Sequence, residues 1–259
     1  STLFPYTTLF RSNSKWSFID TSGKIVIPLD SYRNISFCVF SEGLARVDSD
    51  GKIGFIDKSG AFVIKPQFTS AQDFKEGLSA ARIDGKYGFI DKTGKFVIQP
   101  QFDDADWFSE GLAHVRIDDK SGAIDYKSGF IDKSGKIVIA PKFDMAFAFS
   151  EGLAKVEIGK KAGFINKTGK MVIAPRFVSR GFGGYSLDSE IGFREGLAVV
   201  ELNGKYGYIN KLGKFVISPK YKYAGDFKDG LVFVSAKDEK RYFRYFIDKS
   251  GKVIIKIKK

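Results

Sequence analysis

A chain of 259 residues that is 43% apolar and 15% aromatic can bury a sizeable core, which excludes disorder as its resting state. The formal charge is +12, and the longest apolar runs, such as "KIVIAP" and "KVIIKI", are far too short to cross a bilayer. The single cysteine, Cys38, excludes an internal disulfide and reads as a buried thiol.

In chain order, residues 2–12 ("TLFPYTTLFRS") come first and resemble the conceptual translation of a common short-read sequencing adaptor. Residues 1–12 are therefore expected to be non-native and are left out of fold reasoning, while the rest of the chain is expected to come from bacterial DNA. The fold is expected in residues 13–259, with a first unit cut short at its front and about six further units. From there two blocks alternate. "GFIDKSG" recurs with its last glycine at Gly23, Gly60, Gly94, Gly135, Gly169, Gly213 and Gly251, at spacings of 34 to 44. "F-x-E-G-L" places its glycine at Gly43, Gly77, Gly111, Gly152, Gly196 and, as "FKDGL", at Gly230.

Each unit reads as strands joined by turns. After the acidic-Gly-Leu turn, pairs such as Ser79/Ala81, Ala113/Val115, Ala154/Val156, Ala198/Val200 and Val232/Val234 put small or branched groups on one face at period two, which predicts a closely packed strand. Asp50-Gly51, Asp84-Gly85 and Asn203-Gly204 then predict two-residue hairpins, because both residues of such a turn need positive φ. The second strand carries Phe55-Ile56, Phe89-Ile90, Phe130-Ile131, Phe164-Ile165 and Tyr208-Ile209, and "D-K-S/T-G-K" turns it onto a third, "FVI" or "IVI". Pro28, Pro66, Pro100, Pro141, Pro175 and Pro219 all follow "VI", so the third strand is expected to end or become a sheet edge there. The stretch before the next "F-x-E-G-L" predicts a short fourth strand. Few windows show sustained apolar residues at helical spacing.

These units resemble the WG repeats of bacterial proteins: an acidic-Gly-Leu-Ala turn, a Trp-Gly pair, Phe-Ile-Asp, a Gly-Lys turn and a proline. The likeness covers residues 15–259. It departs at the tryptophan, since only Trp16 fills that column, followed by Ser17, while other units show Ile53, Tyr87, Ser128, Ala162, Tyr206 and Arg244. The resemblance implies an all-β repeat scaffold and supplies no catalytic residue. Each unit has an apolar face it cannot bury alone, so stacked units share one core. The fold class expected is all-β, about seven units of three to four strands, as a β-propeller-like ring with an open β-solenoid as the alternative.

The turn residues Asp20, Asp57, Asp91, Asp132 and Asp248 share their column with Asn166 and Asn210, so they read as hydrogen-bonding caps and not as metal ligands. The acidic column Glu42, Glu76, Glu110, Glu151, Glu195 and Asp229 reads as pairing with a nearby lysine or a backbone amide. His114, the only histidine, shares its column with Arg46, Ala80, Lys155, Val199 and Phe233 and is expected at an outward or half-exposed position. No catalytic, cofactor or metal residue is expected. Lysines flanking the Gly turn, namely Lys58, Lys92, Lys95, Lys133, Lys136, Lys167, Lys170, Lys211 and Lys214, would line one rim and could receive a polyanion. Two insertions, "DDKSGAIDYKS" and "SRGFGGYSLDSEIG", offer Tyr126, Arg180, Phe182 and Tyr185 as ligand contacts.

The functional expectation is a non-enzymatic, monomeric binding or scaffold module with no transmembrane segment, acting through its repeat surface on a protein or glycan partner, in a secreted or cell-envelope setting before a cytoplasmic one. A polyanion-binding envelope domain is the first alternative, and a hydrolase or lyase at a propeller pore the second.

Overall fold

The computed structural model describes residues 6–12, 15–20, 22, 24–28, 39–118, 126–178, 192–237 and 242–257, and every regular element among them is a β-strand. They form seven antiparallel sheets in chain order. The first holds β1 (Tyr6–Ser12), β2 (Lys15–Asp20) and β3 (Ile25–Pro28). The second holds β4 (Phe40–Ser41), β5 (Leu44–Ser49), β6 (Lys52–Ile56) and β7 (Phe62–Phe68), and the third β8 (Ser70–Ala71), β9 (Ser79–Ile83), β10 (Lys86–Ile90) and β11 (Phe96–Phe102). The fourth holds β12 (Asp104–Ser109), β13 (Leu112–Asp118), β14 (Tyr126–Ile131) and β15 (Ile137–Phe143), and the fifth β16 (Met145–Ala146), β17 (Leu153–Ile158), β18 (Lys161–Asn166) and β19 (Met171–Val178). The sixth holds β20 (Phe193–Arg194), β21 (Leu197–Leu202), β22 (Lys205–Asn210) and β23 (Phe215–Tyr221), and the seventh β24 (Tyr223–Ala224), β25 (Leu231–Lys237), β26 (Tyr242–Asp248) and β27 (Val253–Ile257).

The expected short fourth strand is present, and it pairs with the "EGL" strand that follows it, as Ser70↔Arg82 and Ala71↔Ala81 show. Residues 6–12, set aside in the sequence reading, form β1, paired to β2 where other sheets carry the "EGL" strand.

The third strand does not end at its proline; it runs through Pro66, Pro100, Pro141, Pro175 and Pro219 as the edge strand of its sheet. The missing N–H therefore faces no partner strand. The register slips at the same place: Tyr87 pairs with Phe102 and Phe89 with Ile98, so two residues of β10 oppose four of β11. A glycine makes this fit. A Cβ on Gly88 would lie 2.4 Å from the Ile98 carbonyl oxygen and 2.8 Å from the Pro100 nitrogen, and Gly54, Gly129, Gly163 and Gly207 are equally crowded.

The chain divides into two compact units, Ser1–Arg116 with Lys133–Lys136, and Ile117–Asp132 with Ile137–Lys259. Within the first, Leu44, Phe55, Ile64 and Phe68 of the second sheet pack on Ala71, Phe74, Ala81 and Ile90 of the third. The Phe55 and Phe74 rings meet edge to face at 4.8 Å, and Phe89 meets Phe108 at 4.9 Å. Within the second unit, Leu153, Phe164, Ile173 and Phe177 pack on Phe193, Ala198, Val200 and Ile209, and Tyr208 meets Phe227 at 4.9 Å. Neighbouring sheets thus bury each other's apolar faces, as stacked repeats must. This packing of open sheets fits the ring and the solenoid alike.

Candidate functional site

The most regular polar assembly begins at the acidic-Gly turn. In "KEGL" the Lys75 and Leu78 backbones exchange both hydrogen bonds, so Glu76-Gly77 forms a two-residue hairpin turn. Both residues take positive φ, 53° for Glu76 and 87° for Gly77, which costs a non-glycine residue about 1 kcal/mol. The glutamate side chain offsets this by reaching the next sheet. Glu76 Oε2 accepts from the Gly111 N–H at 3.1 Å and sits 3.1 Å from Lys133 Nζ, which also donates to the Glu76 carbonyl at 3.0 Å. Glu42 repeats this with Gly77 and Lys92, Glu151 with Gly196 and Lys211, and Glu195 with Gly230 and Lys249. Burial pushes the Glu42 carboxyl up, but hydrogen bonds from Lys92 and the Gly77 N–H outweigh it and hold the pKa below 4.5. Glu195 is lowered too, first by Lys249.

The sequence-predicted acidic pairing is therefore a clasp between consecutive sheets. It uses up one of the two rim columns: Lys92, Lys133 and Lys211 are each ion-paired to a glutamate. Lys95, Lys136, Lys170 and Lys214 emerge exposed just past the turn glycine; Lys167 is exposed and Lys58 half-buried. The turn column behaves as a cap. Asp57 Oδ1 accepts from the Ser59 N–H at 2.8 Å, and Asn166 Oδ1 accepts from the Thr168 N–H at 3.1 Å and the Lys170 N–H at 3.0 Å. Among the described residues no group of three or more His, Cys, Asp or Glu is arranged to hold a metal ion.

His114 corrects the sequence reading: it is 4% exposed and not outward-facing. Burial, with the positive Arg116 nearby, lowers its pKa to about 3 and keeps it neutral. Tolerance across its column misled, because Ala80 is buried there while Arg46 and Lys155 are half-buried, so the same position meets different surroundings from sheet to sheet.

That column lies beside the short strand, and together they carry the residues that vary most between repeats. In the first unit Arg46 Nε is 3.7 Å from Asp73, whose pKa burial raises despite the arginine. Asp106 is pushed up to about 6 by burial, against the hydrogen bond from the Trp107 N–H and with added repulsion from Asp104. In the second unit Lys155 Nζ lies 4.6 Å over the Phe147 ring, and Arg194 Nε lies 3.4 Å from Asp226. Sequence reasoning passed over these positions because it looked for columns that repeat. Of the four loop candidates, Tyr126 starts β14 and is half-buried, while Arg180, Phe182 and Tyr185 lie outside the described residues.

Seven segments, residues 16–52, 53–87, 87–120, 129–161, 163–179, 189–206 and 206–240, match the WG containing repeat. The chain belongs to the WG-repeat family. The glycine of its name is the one that lets the bulged proline strand approach, whereas the tryptophan column holds residues as small as the fully buried Ser128. Among solved structures, a eukaryotic initiation factor is similar with a TM-score of 0.61 and 10% identity, covering 93% of this chain and 70% of that one. BamB from Moraxella catarrhalis is similar with a TM-score of 0.50 and 12% identity, over 95% of this chain and 77% of that one. Both are propeller-like, and the WG repeats share that all-β fold. No curated protein matches the chain. No helix among the described residues is long and apolar enough to cross a membrane.

Proposed function

We propose that this WG-repeat chain is a non-enzymatic binding scaffold whose partner, a protein or a glycan, docks along the short strands and the neighbouring ends of the "EGL" strands. One observation carries this reading: the recurring glutamates and the lysines they hold join consecutive sheets, whereas charged and aromatic residues that differ between repeats gather beside the short strands within each unit. They are Asp73, Asp106 and Trp107 in the first unit and Phe147, Lys155 and Asp226 in the second. Repeat proteins vary the surface that binds and keep the surface that stacks.

The exposed Lys95, Lys170 and Lys214 favour a second reading, a surface for anionic polymers. Partner capture from bacterial lysate and on a glycan array tests both. Loss of the captured partner in Trp107→Ala and Lys155→Ala, with Lys95→Gln/Lys170→Gln/Lys214→Gln unchanged, is the result expected. Binding that follows the lysines and fades with salt transfers the function to the second reading.

A further inference from the structure

The fifth and sixth sheets depart together from the rest of the pattern. In the turn column that caps backbone amides, Asn166 and Asn210 stand where the other sheets have Asp20, Asp57, Asp91, Asp132 or Asp248. The cap itself is kept. Asn210 Oδ1 accepts from the Leu212 N–H at 3.1 Å and the Lys214 N–H at 3.0 Å, as Asp91 Oδ1 accepts from Thr93 at 2.8 Å and Lys95 at 3.2 Å. What the exchange removes is the negative charge. Residues 161–178, spanning β18 and β19, and residues 205–221, spanning β22 and β23, therefore hold no carboxylate and four cationic side chains each, all exposed.

The sixth sheet carries a second departure in the same turn. Two residues after the cap, the hydroxyls of Ser59, Thr93, Thr168 and Ser250 donate to the capping oxygen at 2.5 to 2.8 Å. Leu212 stands there instead and forgoes that bond, and among the described residues no large apolar side chain is more exposed, at 76%. Its turn is braced by the fifth sheet. The Arg176 guanidinium donates to the Gly213 carbonyl, a Cβ on Gly213 would lie 3.1 Å from Ile173 Cγ2, and the Phe215 ring meets Phe177 edge to face at 6.1 Å. Beside it the outward faces of β19 and β23 carry Lys170, Val172 and Arg176, and Lys214, Val216 and Lys220, every one exposed.

Lysine by itself keeps a surface solvated, and an anionic polymer needs only the cations. An aliphatic tip set among lysines fits the boundary of an anionic bilayer, where the apolar group enters the acyl edge and the ammonium groups stay with the lipid phosphates. We propose that the third-strand edges and turns of the fifth and sixth sheets dock on an anionic lipid surface, with Leu212 entering the interface and Lys170 and Lys214 meeting the headgroups. This site lies apart from the short-strand strip of the scaffold reading. It shares Lys170 and Lys214 with the polymer reading and differs from it in requiring Leu212.

The test is cosedimentation of the full chain with vesicles of phosphatidylcholine containing about one third phosphatidylglycerol, compared with phosphatidylcholine alone. Wild type is expected on the anionic vesicles only, and to be released as salt rises. Leu212→Ser introduces the residue that other copies carry, so its thermal transition should hold while its affinity for anionic vesicles falls about tenfold. Asn166→Asp combined with Asn210→Asp keeps both caps and should weaken vesicle binding by a similar factor, about tenfold. Trp107→Ala should bind vesicles like wild type, which separates failure of the scaffold reading from failure of this one. Anionic vesicles left unbound by wild type, equal binding to the neutral vesicles, unchanged vesicle binding in Leu212→Ser or in the double variant, or its loss in Trp107→Ala overturns the proposal.

Discussion

The sixth and seventh sheets are neighbours built on one pattern, yet they differ where it is most constrained. In the sixth, Gly207 faces a strand containing Pro219, and the register slips twice, at Tyr206/Tyr208 and at Tyr208/Ile209. In the seventh, Tyr245 fills the glycine column, Ile257 stands where the proline would be, and only the slip at Phe246/Ile247 remains. Glycine and bulge therefore come together. A side chain in the glycine column is tolerated only where the opposing strand runs straight, and the first sheet agrees, with Ser17 paired directly to Pro28. The sixth sheet is also covered on its Tyr208 face and the seventh is open on its Phe246 face. A shared sequence pattern thus does not ensure a shared energy at each position.

The largest expected effect separates these two faces. Tyr208→Ala removes a fully buried ring and a 2.8 Å hydrogen bond to the Gly225 carbonyl, and should cost about 4 kcal/mol in urea unfolding, against about 1.5 kcal/mol for Phe246→Ala. Equal losses would mean that the two faces are equally covered. Next comes the glycine column. Gly207→Ala puts a Cβ 2.6 Å from the Ile217 carbonyl oxygen and should cost about 3 kcal/mol, while Tyr245→Ala should cost about 1 kcal/mol. A mild Gly207→Ala would refute the steric account of the bulge.

A smaller effect is expected from pH at the column shared by His114 and Val199. The folded pKa near 3 lies below the ordinary 6.5, so only the unfolded chain takes up the proton in between. Stability therefore falls as pH drops below 6.5, by about 2 kcal/mol at pH 5, and His114→Val should flatten that slope. A slope unchanged in the variant would place the titration elsewhere. The smallest effect distinguishes Glu195 from Asp229. The lowered Glu195 pKa contributes stability that is present above about 4.5 and is lost as pH falls through the folded value, so Glu195→Gln should blunt the acid limb of the transition. Asp229→Asn, at the same position of the seventh sheet, should leave that limb unaltered. The reverse ranking would reassign the clasp.

Much of this was legible in the sequence because it is local. Asp50-Gly51 and Asn203-Gly204 take the positive φ values that their dipeptides require, and the Asp and Asn turn residues cap amides two and four positions on. The proline column marked an edge strand for the same reason, since a missing donor excludes a central position whatever surrounds it. His114 was misread because burial is set by the sheet packed against a residue, and that sheet differs from copy to copy. The strip around Asp106 and Trp107 was passed over because its chemistry comes from proximity between strands, not from recurrence.

The sequence by itself determined the repeat, the strands, the turns and the family, since each is written within some forty residues and governed by backbone conformations those residues must adopt. Only the tertiary structure decided that the glutamates clasp an amide 35 or 45 positions away, and which lysines they hold. Those are relations between sheets, and a periodic sequence gives the same letters to a residue whether or not a neighbour lies against it.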